Sequence, residues 1–364
     1  MRRLRGADID SLCDRHELFC RGQPGGARAL FARCDLSGED LSRRVLSGAD
    51  FSGARLQGTN LSEAILDRAT FLCADLAEAN LHRAALRRAD LRGARLAKAN
   101  LSLADLVEAD LSSGSLPFSG GVRSVDATRT DLSGANLSRS KLMGIRAQHA
   151  NFAGAILVGA KLVSGDMRQA SLAGADLKDA VADNLELTGA DLADAVLVGV
   201  DLTTVKVGPA QLNGALREPD PNSSDGRAII ERMRTHDRWM ASGGRDGQSA
   251  SFDGADVRVL GTLSGYDLSA VSAKDAIFYG LDMRGIKLVG SNLENADLRH
   301  CDLRDADLRG ARFKGARLDG ANLTNANLDA LNLGGGRKLE ADFTGASLRD
   351  ATLPAHRYDI GAPQ

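Results

Sequence analysis

Aromatic residues are scarce in this chain of 364 residues: they make up 4% of the sequence, and prolines number only 7. Globular cores normally rely on large aromatic side chains, so this chain must fill its interior by repeating small and medium ones. An excess of one charge is also missing, because 46 Lys and Arg stand against 48 Asp and Glu. This balance excludes disorder driven by like charges and gives no overall field that would attract nucleic acid.

Two further absences limit the chemistry and the location. The five cysteines are odd in number and contain no C-x-x-C pair, which argues against a disulfide framework or a zinc site. No stretch approaches the roughly 18 apolar residues of a membrane span, and no apolar run follows the basic residues at the start. We therefore expect a cytoplasmic bacterial protein without a membrane contact, with a secreted effector as the alternative.

What the sequence does contain is a repeat of five residues. Every fifth residue from position 36 to 116 is Leu or Phe, in 17 of 17 cases, and Ala stands two places earlier in 12 of them. Asp or Asn is common between the two, so the unit reads A-[D/N]-L-x-x. The frame slips by one residue across 117–130 and resumes over 132–212. It starts again at Phe252, slips to Leu263 and runs to Leu353.

A period of five fits neither regular element. On a helix, every fifth residue is rotated by about 140°, so the leucines would wrap around the whole surface. On a continuous strand, an odd spacing would put successive leucines on opposite faces. The pattern predicts short extended stretches, each followed by a turn. Ala and Leu then both face a shared interior, and successive coils stack about 4.8 Å apart.

Tandem units of this kind closely resemble the pentapeptide-repeat family. The resemblance covers roughly three quarters of the chain and is carried by units such as Ala79-Asn80-Leu81-His82-Arg83 and Ala306-Asp307-Leu308-Arg309-Gly310. In that family four units make one square turn, so the resemblance implies an all-β fold, a right-handed quadrilateral β-helix or solenoid. With twenty residues per turn, residues 31–216 would form about nine coils and residues 250–353 about five.

A predicted helix separates two blocks of repeats. After the break at Pro219, Ser224 is a candidate N-cap, and apolar residues at helical spacing follow until Gly243 and Gly244. The chain is thus expected to contain an N-terminal helical cap at 1–29, a solenoid at 30–216 with a frame slip near 117–131, a linker and capping helix at 217–249, a second solenoid at 250–353 and a tail at 354–364. The segment 117–131 is either a functional loop or a tolerated bulge.

The two helical segments share a motif. His236-x-x-Trp239 echoes His16-x-x-Phe19 near the start of the chain, which indicates that each half is a short helix followed by a solenoid. We expect each helix to cap the open end of its solenoid, where apolar side chains and strand edges would otherwise be exposed. Partner binding by Trp239 or Phe19 is the alternative hypothesis. His16 and His236 are interpreted as packing residues rather than metal ligands.

No arrangement of residues predicts catalysis, so we expect no enzyme, no cofactor and no metal site. The abundant Asp and Asn stand on the outward side of each extended stretch, where a repeat of this kind places them. The six histidines lack metal-ligand spacing. Cys34 and Cys301 occupy the inward Ala position and are interpreted as small apolar residues.

Arginines concentrate at the outward corners of the repeat. The candidates for a partner-binding or anion-binding stripe are Arg83, Arg87, Arg88, Arg284 and Arg304. Acidic residues are interleaved with them, and no aromatic residues accompany them for base stacking, which favours a solvated surface of mixed charge. Direct binding of nucleic acid is therefore not expected.

The sequence predicts a non-enzymatic scaffold that offers a rigid β-solenoid surface to a protein partner. A second hypothesis follows from the resemblance, since some family members imitate B-form DNA and bind DNA gyrase or topoisomerase IV. Those mimics typically carry a C-terminal dimerisation helix and an acidic face. Here only residues 354–364 follow the last repeat, and the charges are balanced along the chain. A third hypothesis is a secretion-system effector or accessory protein.

Overall fold

Backbone pairing between residues twenty positions apart dominates the computed structural model of the chain, which describes residues 1–116 and 121–355. Asp50 pairs in parallel with Thr70, which pairs in turn with Asp90, and the same step recurs at the residue before most central Leu or Phe residues. The chain therefore coils with four five-residue units per turn. Because a turn interrupts each extended stretch, the expected β structure takes the form of single bridges rather than long strands.

The turn between two units is closed by backbone hydrogen bonds. The amide of Leu76 donates to the carbonyl of Arg95 one coil further on, at 2.7 Å, and the amide of Ala79 donates back to the carbonyl of Leu76, at 3.0 Å. Glu78, the second residue after the central Leu, has a φ of 60°. This left-handed conformation recurs at the last position of the unit and turns the chain through a corner.

Asp or Asn precedes the central residue because its side chain stabilises this turn. The Oδ1 atom of Asp50 accepts a hydrogen bond from the amide of Ser52 at 2.9 Å, and Asn100 does the same for Ser102 at 3.0 Å. Their outward position is therefore only part of the reason for their presence. They also satisfy an amide that the turn would otherwise leave without a partner.

The interior is filled by the central residue of each unit and by the small residue two places earlier. Leu76 and Leu81 are fully buried, which confirms the predicted shared interior. Three phenylalanines of the first unit stack one coil apart: the ring centroids of Phe31 and Phe51 lie 5.0 Å apart, and those of Phe51 and Phe71 lie 4.8 Å apart. These three rings form a column in the interior.

The chain divides into two compact units, Met1–Glu218 and Pro219–Gln364, each with a hydrophobic core of its own. Helix α1 (Ala7–Cys20) belongs to the first unit and helix α2 (Ser224–Ala241) to the second. Each helix contributes buried side chains to the core of its unit, and these are Ile9, Cys13, Ile229 and Met233.

The predicted N-cap of α2 is wrong by one residue. Ser223, rather than Ser224, caps α2, because the Ser223 hydroxyl accepts a hydrogen bond from the amide of Gly226 at 3.0 Å. Within the residues that the structure describes, no helix is long and apolar enough to cross a membrane.

The residues before α1 extend the pairing of the coils, which the repeat pattern did not indicate. Strand β1 (Arg2–Arg3) pairs in parallel with strand β2 (Cys34–Asp35). The amide of Leu4 donates to the carbonyl of Asp35 at 3.1 Å, and the Leu4 side chain is buried in the first core. The segment predicted as a helical cap therefore also supplies a short strand.

A hairpin insertion explains the first frame slip. Gly114 pairs antiparallel with Arg123, and Arg95 pairs with Asp126 across 31 residues instead of 20. The eleven extra residues (31 minus 20) shift the five-residue frame by one. Leu116, the last of the 17 regular positions, lies in this insertion and is only half-buried, so its predicted place in the interior is wrong. Residues 117–120 of the predicted loop lie outside the described part of the chain.

A second hairpin does not shift the frame, although it places Lys338 at a central position. Strands β3 (Leu331–Gly334) and β4 (Arg337–Leu339) pair antiparallel, and Arg312 pairs with Asp342 across 30 residues. The ten extra residues (30 minus 20) are two whole repeat units, so the Leu pattern continues across the hairpin. The predicted inward position of Leu333 is therefore wrong, and its side chain is 49% exposed.

The frame slip before Leu263 has a smaller cause. The short 3-10 helix Val257–Leu260 adds one residue to its coil, so that Asp256 pairs with Ile277 across 21 residues. At the other end of the block, Leu353 is 40% exposed, although the pattern predicts that it faces inward. Residues 356–364 of the predicted tail lie outside the described residues.

Candidate partner-binding surface

One buried histidine fixes each helix to its coil. His16 donates a hydrogen bond from Nε2 to the carbonyl of Ser47 and accepts one at Nδ1 from the amide of Ala29, both at 3.0 Å. His236 makes the same two bonds, with the carbonyl 31 residues further on at 2.9 Å and with an amide 14 residues further on at 3.2 Å. Both ring nitrogens are thus occupied, which agrees with a packing role. Burial lowers the pKa of His16, in keeping with a neutral ring.

A groove lies beside the C-terminal end of α1. Phe19 stacks on His16, with ring centroids 5.8 Å apart, yet its side chain is 49% exposed. The groove has a volume of about 690 Å³. Its lining includes Phe19, Arg68, Arg87, Arg88, Val107 and Glu108. The structure therefore brings together three of the residues predicted from the sequence, namely Phe19, Arg87 and Arg88.

Two of the three arginines that line the groove form an ion pair with a carboxylate, and the third does not. Arg88 Nε lies 2.6 Å from Glu108 Oε2, and this bond holds the pKa of Glu108 below its ordinary value. Arg87 Nη1 lies 3.5 Å from Asp105 Oδ2. The side chain of Arg68, in contrast, makes no hydrogen bond or ion pair with any residue that the structure describes. The Arg pattern in the sequence did not single out Arg68, although it stands twenty residues before Arg88.

The remaining predicted residues do not lie in this groove. Arg83 is exposed at the last position of its repeat unit and forms no ion pair within the described residues. Trp239 stacks on His236, with ring centroids 5.8 Å apart, and is half-buried. Arg284 and Arg304 belong to the second unit, and each binds the Asp two residues earlier, at 2.7 and 2.6 Å.

Outside the groove, opposite charges alternate along one column of the first unit. Three ion pairs join residues one coil apart: Arg55 and Asp35 at 3.7 Å, Arg95 and Asp75 at 3.2 Å, and Arg146 and Asp126 at 3.4 Å. This arrangement agrees with the mixed-charge surface favoured by the sequence. In the sequence this arrangement is visible as an alternation of Asp and Arg at positions twenty apart, such as Asp35, Arg55, Asp75 and Arg95.

Two cysteine thiols of α1 have raised pKa values. Cys20 is exposed, with Sγ 3.5 Å from His16 Nε2, but burial raises its thiol pKa. Burial also raises the pKa of Cys13 to about 11. Among the described residues, no group of three or more His, Cys, Asp or Glu side chains is placed to hold a metal ion.

The five-residue period, the coil of twenty residues and the buried central leucines are accompanied by a direct match. The model of the family described as pentapeptide repeats matches eight copies, and the matched ranges together cover more than half of the chain. The chain belongs to the pentapeptide-repeat family. Proteins of this family fold as right-handed β-helices. The matched residues of this pentapeptide-repeat protein are 27–62, 45–83, 74–113, 130–169, 170–206, 291–329 and 306–337.

Solved structures similar to this pentapeptide-repeat protein include HetL, involved in heterocyst differentiation regulation in the cyanobacterium Nostoc sp. strain PCC 7120. HetL is 25% identical over 84% of this chain and 94% of its own, with a TM-score of 0.22. QnrB1, a plasmid-mediated fluoroquinolone resistance protein, is 24% identical over 51% and 85%, with a TM-score of 0.34. Such low TM-scores give no basis for transferring a function. No curated protein matches the chain significantly.

Proposed function

We propose that this chain is a non-enzymatic scaffold that binds a protein partner in the groove beside Phe19. In this proposal, α1 and α2 cap two right-handed quadrilateral solenoids, and the groove is the binding surface of the first one. The observation that carries the proposal is an exposed phenyl ring beside three arginines, Arg68, Arg87 and Arg88. Phe and Arg are both enriched at the cores of protein–protein interfaces relative to the rest of the surface.

Rigidity supports this role. The amide of Arg68 donates to the carbonyl of Arg87 at 2.8 Å, and the amide of Arg88 donates to the carbonyl of Val107 at 2.9 Å. The groove wall is therefore tied to consecutive coils. The ring of Phe19 stacks on the ring of His16, and both ring nitrogens of His16 form hydrogen bonds to the backbone. A surface that is ordered before binding loses less conformational entropy when a partner binds.

The surface charges do not favour the alternative hypothesis of DNA mimicry. A surface that imitates DNA needs rows of negative charge that are free to face the partner. In the first unit the carboxylates of Asp35, Asp75 and Asp126 each face an Arg one coil away. In the second unit Asp282 and Asp302 each bind an Arg two residues further on. We therefore propose a mixed-charge scaffold rather than a ligand of DNA gyrase.

Photo-cross-linking tests the proposal. The photoreactive amino acid p-benzoylphenylalanine replaces Phe19 in one variant and Leu103 in the control, because Leu103 is also exposed (44%) but does not line the groove. Irradiation in the native cells should give one discrete protein adduct at position 19 and none at position 103. Adducts at neither position, or the same adducts at both, would contradict the proposal.

A further inference from the structure

Of the three arginines that line the groove, Arg68 is the one whose side chain forms no ion pair with a residue that the structure describes. It occupies the left-handed position of its turn, with a φ of 57°, as Arg88 does one coil later. The same position one coil earlier is Gly48. Neither residue next to Arg68 in this column, Gly48 or Arg88, carries a carboxylate. Arg88, in contrast, binds Glu108 one coil later. The neighbouring Asp67 uses its Oδ1 atom to accept the amide hydrogen bond of Arg87 at 3.0 Å.

The apolar part of the groove lies close to this cation. Phe19 and Val107 line the same groove as Arg68. The exposed Phe19 ring offers a surface on which an apolar side chain can pack. An arginine fork binds a carboxylate through two parallel hydrogen bonds, which fixes the position of the bound group.

We infer that the groove receives an extended protein segment in which an apolar side chain stands next to an Asp or Glu, an inference that rests on the function proposed above. The apolar side chain packs on Phe19, and the carboxylate binds Arg68. The carboxylate of the segment thus supplies the partner that the coil lacks.

The groove favours an acidic protein segment over a nucleic acid. Phosphates follow one another along a strand and need a continuous row of cations. Here Asp67 and Glu108 interrupt the arginines, and one phenyl ring is present where stacking of successive bases needs several. A single carboxylate beside an apolar group fits one open guanidinium beside one ring.

A peptide titration with matched variants tests this inference. The probe is a fluorescein-labelled decapeptide of alternating Leu and Asp, and binding to the full chain is followed by fluorescence anisotropy. Arg68→Glu is compared with Arg83→Glu, because both arginines are exposed, have φ values of 57° and 55°, and form no ion pair within the described residues. Arg68→Glu should weaken binding about tenfold or more, and Arg83→Glu less than about twofold.

Two further arms complete the test. The same peptide with Asn in place of every Asp should bind about tenfold more weakly, because the charge-assisted bond is lost. Equal effects of the two substitutions, undiminished binding of the Asn peptide, or tighter binding of a single-stranded oligodeoxynucleotide would each overturn the inference. If one of these outcomes is found but the cross-link at position 19 still forms, the groove binds a protein without a bond between Arg68 and a carboxylate. If the cross-link also fails, the proposed function fails with it.

Discussion

The two helix-to-coil junctions of this chain are built from the same parts. In each, a buried His on the helix bonds to a backbone amide and a backbone carbonyl of the coil. In each, an aromatic residue three positions later stacks on that His, at the same centroid distance of 5.8 Å. A glycine then lets the chain pass against the helix backbone, and these glycines are Gly26 and Gly247.

The outward sides of the junctions differ. At the first, Phe19 is exposed beside the groove and its arginines. At the second, the ring of Trp239 is half-buried, and a Cβ placed on Gly244 would lie 3.4 Å from Trp239 Nε1. The shared inner parts attach the helix, which both units need. The groove beside α2 lies at its N-terminal end, near Ser223 and Gly226, so an exposed ring with arginines beside it distinguishes the first junction.

The largest expected effect is a loss of stability in both units from filling the glycine contacts. A Cβ at Gly26 would lie 2.6 Å from Phe19 Cα, and one at Gly247 would lie 2.7 Å from Trp239 N. Gly26→Ala and Gly247→Ala should each destabilise their unit by about 3 kcal/mol, since backbone atoms cannot move aside cheaply. Gly25→Ala is the control, because at a φ of 82° it carries the strain of a left-handed alanine but no atom lies within 4 Å of its Cβ position. If denaturant unfolding shows that Gly26→Ala loses no more unfolding free energy than Gly25→Ala, the close contact at Gly26 does not stabilise the junction.

Removal of the histidines should have the next largest effect. His16→Ala and His236→Ala each leave a buried amide and a carbonyl without a partner, which costs about 2–3 kcal/mol. Similar losses in chemical denaturation would support the equivalence of the two junctions. A loss confined to one of them would show that only that junction depends on its His.

The His16 contact also predicts a dependence on pH. Because burial lowers the pKa of His16 in the folded chain, the unfolded chain binds the proton more readily. The stability that His16 contributes is therefore fully present above the ordinary His pKa of about 6.5, and it is lost as the pH falls through the lower folded value. Melting temperatures between pH 7.5 and pH 5 should fall less in His16→Gln than in the wild type. The exposed His149 serves as control, and an equal change in His149→Gln would contradict the assignment.

Truncation of the stacked aromatic residue should have different effects on stability and binding at the two junctions. Trp239→Ala removes a half-buried ring and should cost about 1–2 kcal/mol, whereas Phe19→Ala removes an exposed one and should cost about 0.5 kcal/mol. Only Phe19→Ala should abolish binding of the Leu and Asp peptide. Thermal unfolding and the anisotropy titration measure the two effects. Equal loss of binding in both variants would show that the groove is not the distinguishing feature.

The smallest expected effect concerns the hairpin of the second unit. Deletion of residues 329–338 removes two whole repeat units, so that Leu328 and Phe343 become neighbours in the frame. Stability should change by less than about 1 kcal/mol, because the coil closes with its usual twenty residues. Deletion of residues 329–337 is the control, since nine residues break the frame. Circular dichroism showing equal damage from both deletions would refute the insertion as described.

The sequence predicted the interior of the molecule well. The five-residue period placed Leu76 in the core, and the inward Ala position made Cys301 a buried residue, as the structure has it. This succeeds because every coil obeys the same rule, so that each unit repeats the signal. The pairing of His16 with His236 as packing residues also followed from the motif alone.

The features that the sequence did not predict depend on which residues of neighbouring coils lie side by side. Leu333 keeps the frame yet leaves the interior, because an insertion of ten residues shifts the frame by two whole units and only Lys338 departs from the pattern. Arg68 and Arg88 look alike in the sequence, and only the residue one coil away decides which of them has a carboxylate. Leu4 precedes the first repeat, so no periodicity could place it in the core.

Hydrogen–deuterium exchange of the whole chain, with and without the Leu and Asp decapeptide, tests the functional difference between the junctions most directly. We predict slower exchange around Phe19, Arg68 and Arg88 when the peptide is bound, and unchanged exchange at 236–250. Equal protection at the two junctions, or protection around Trp239 alone, would contradict the account.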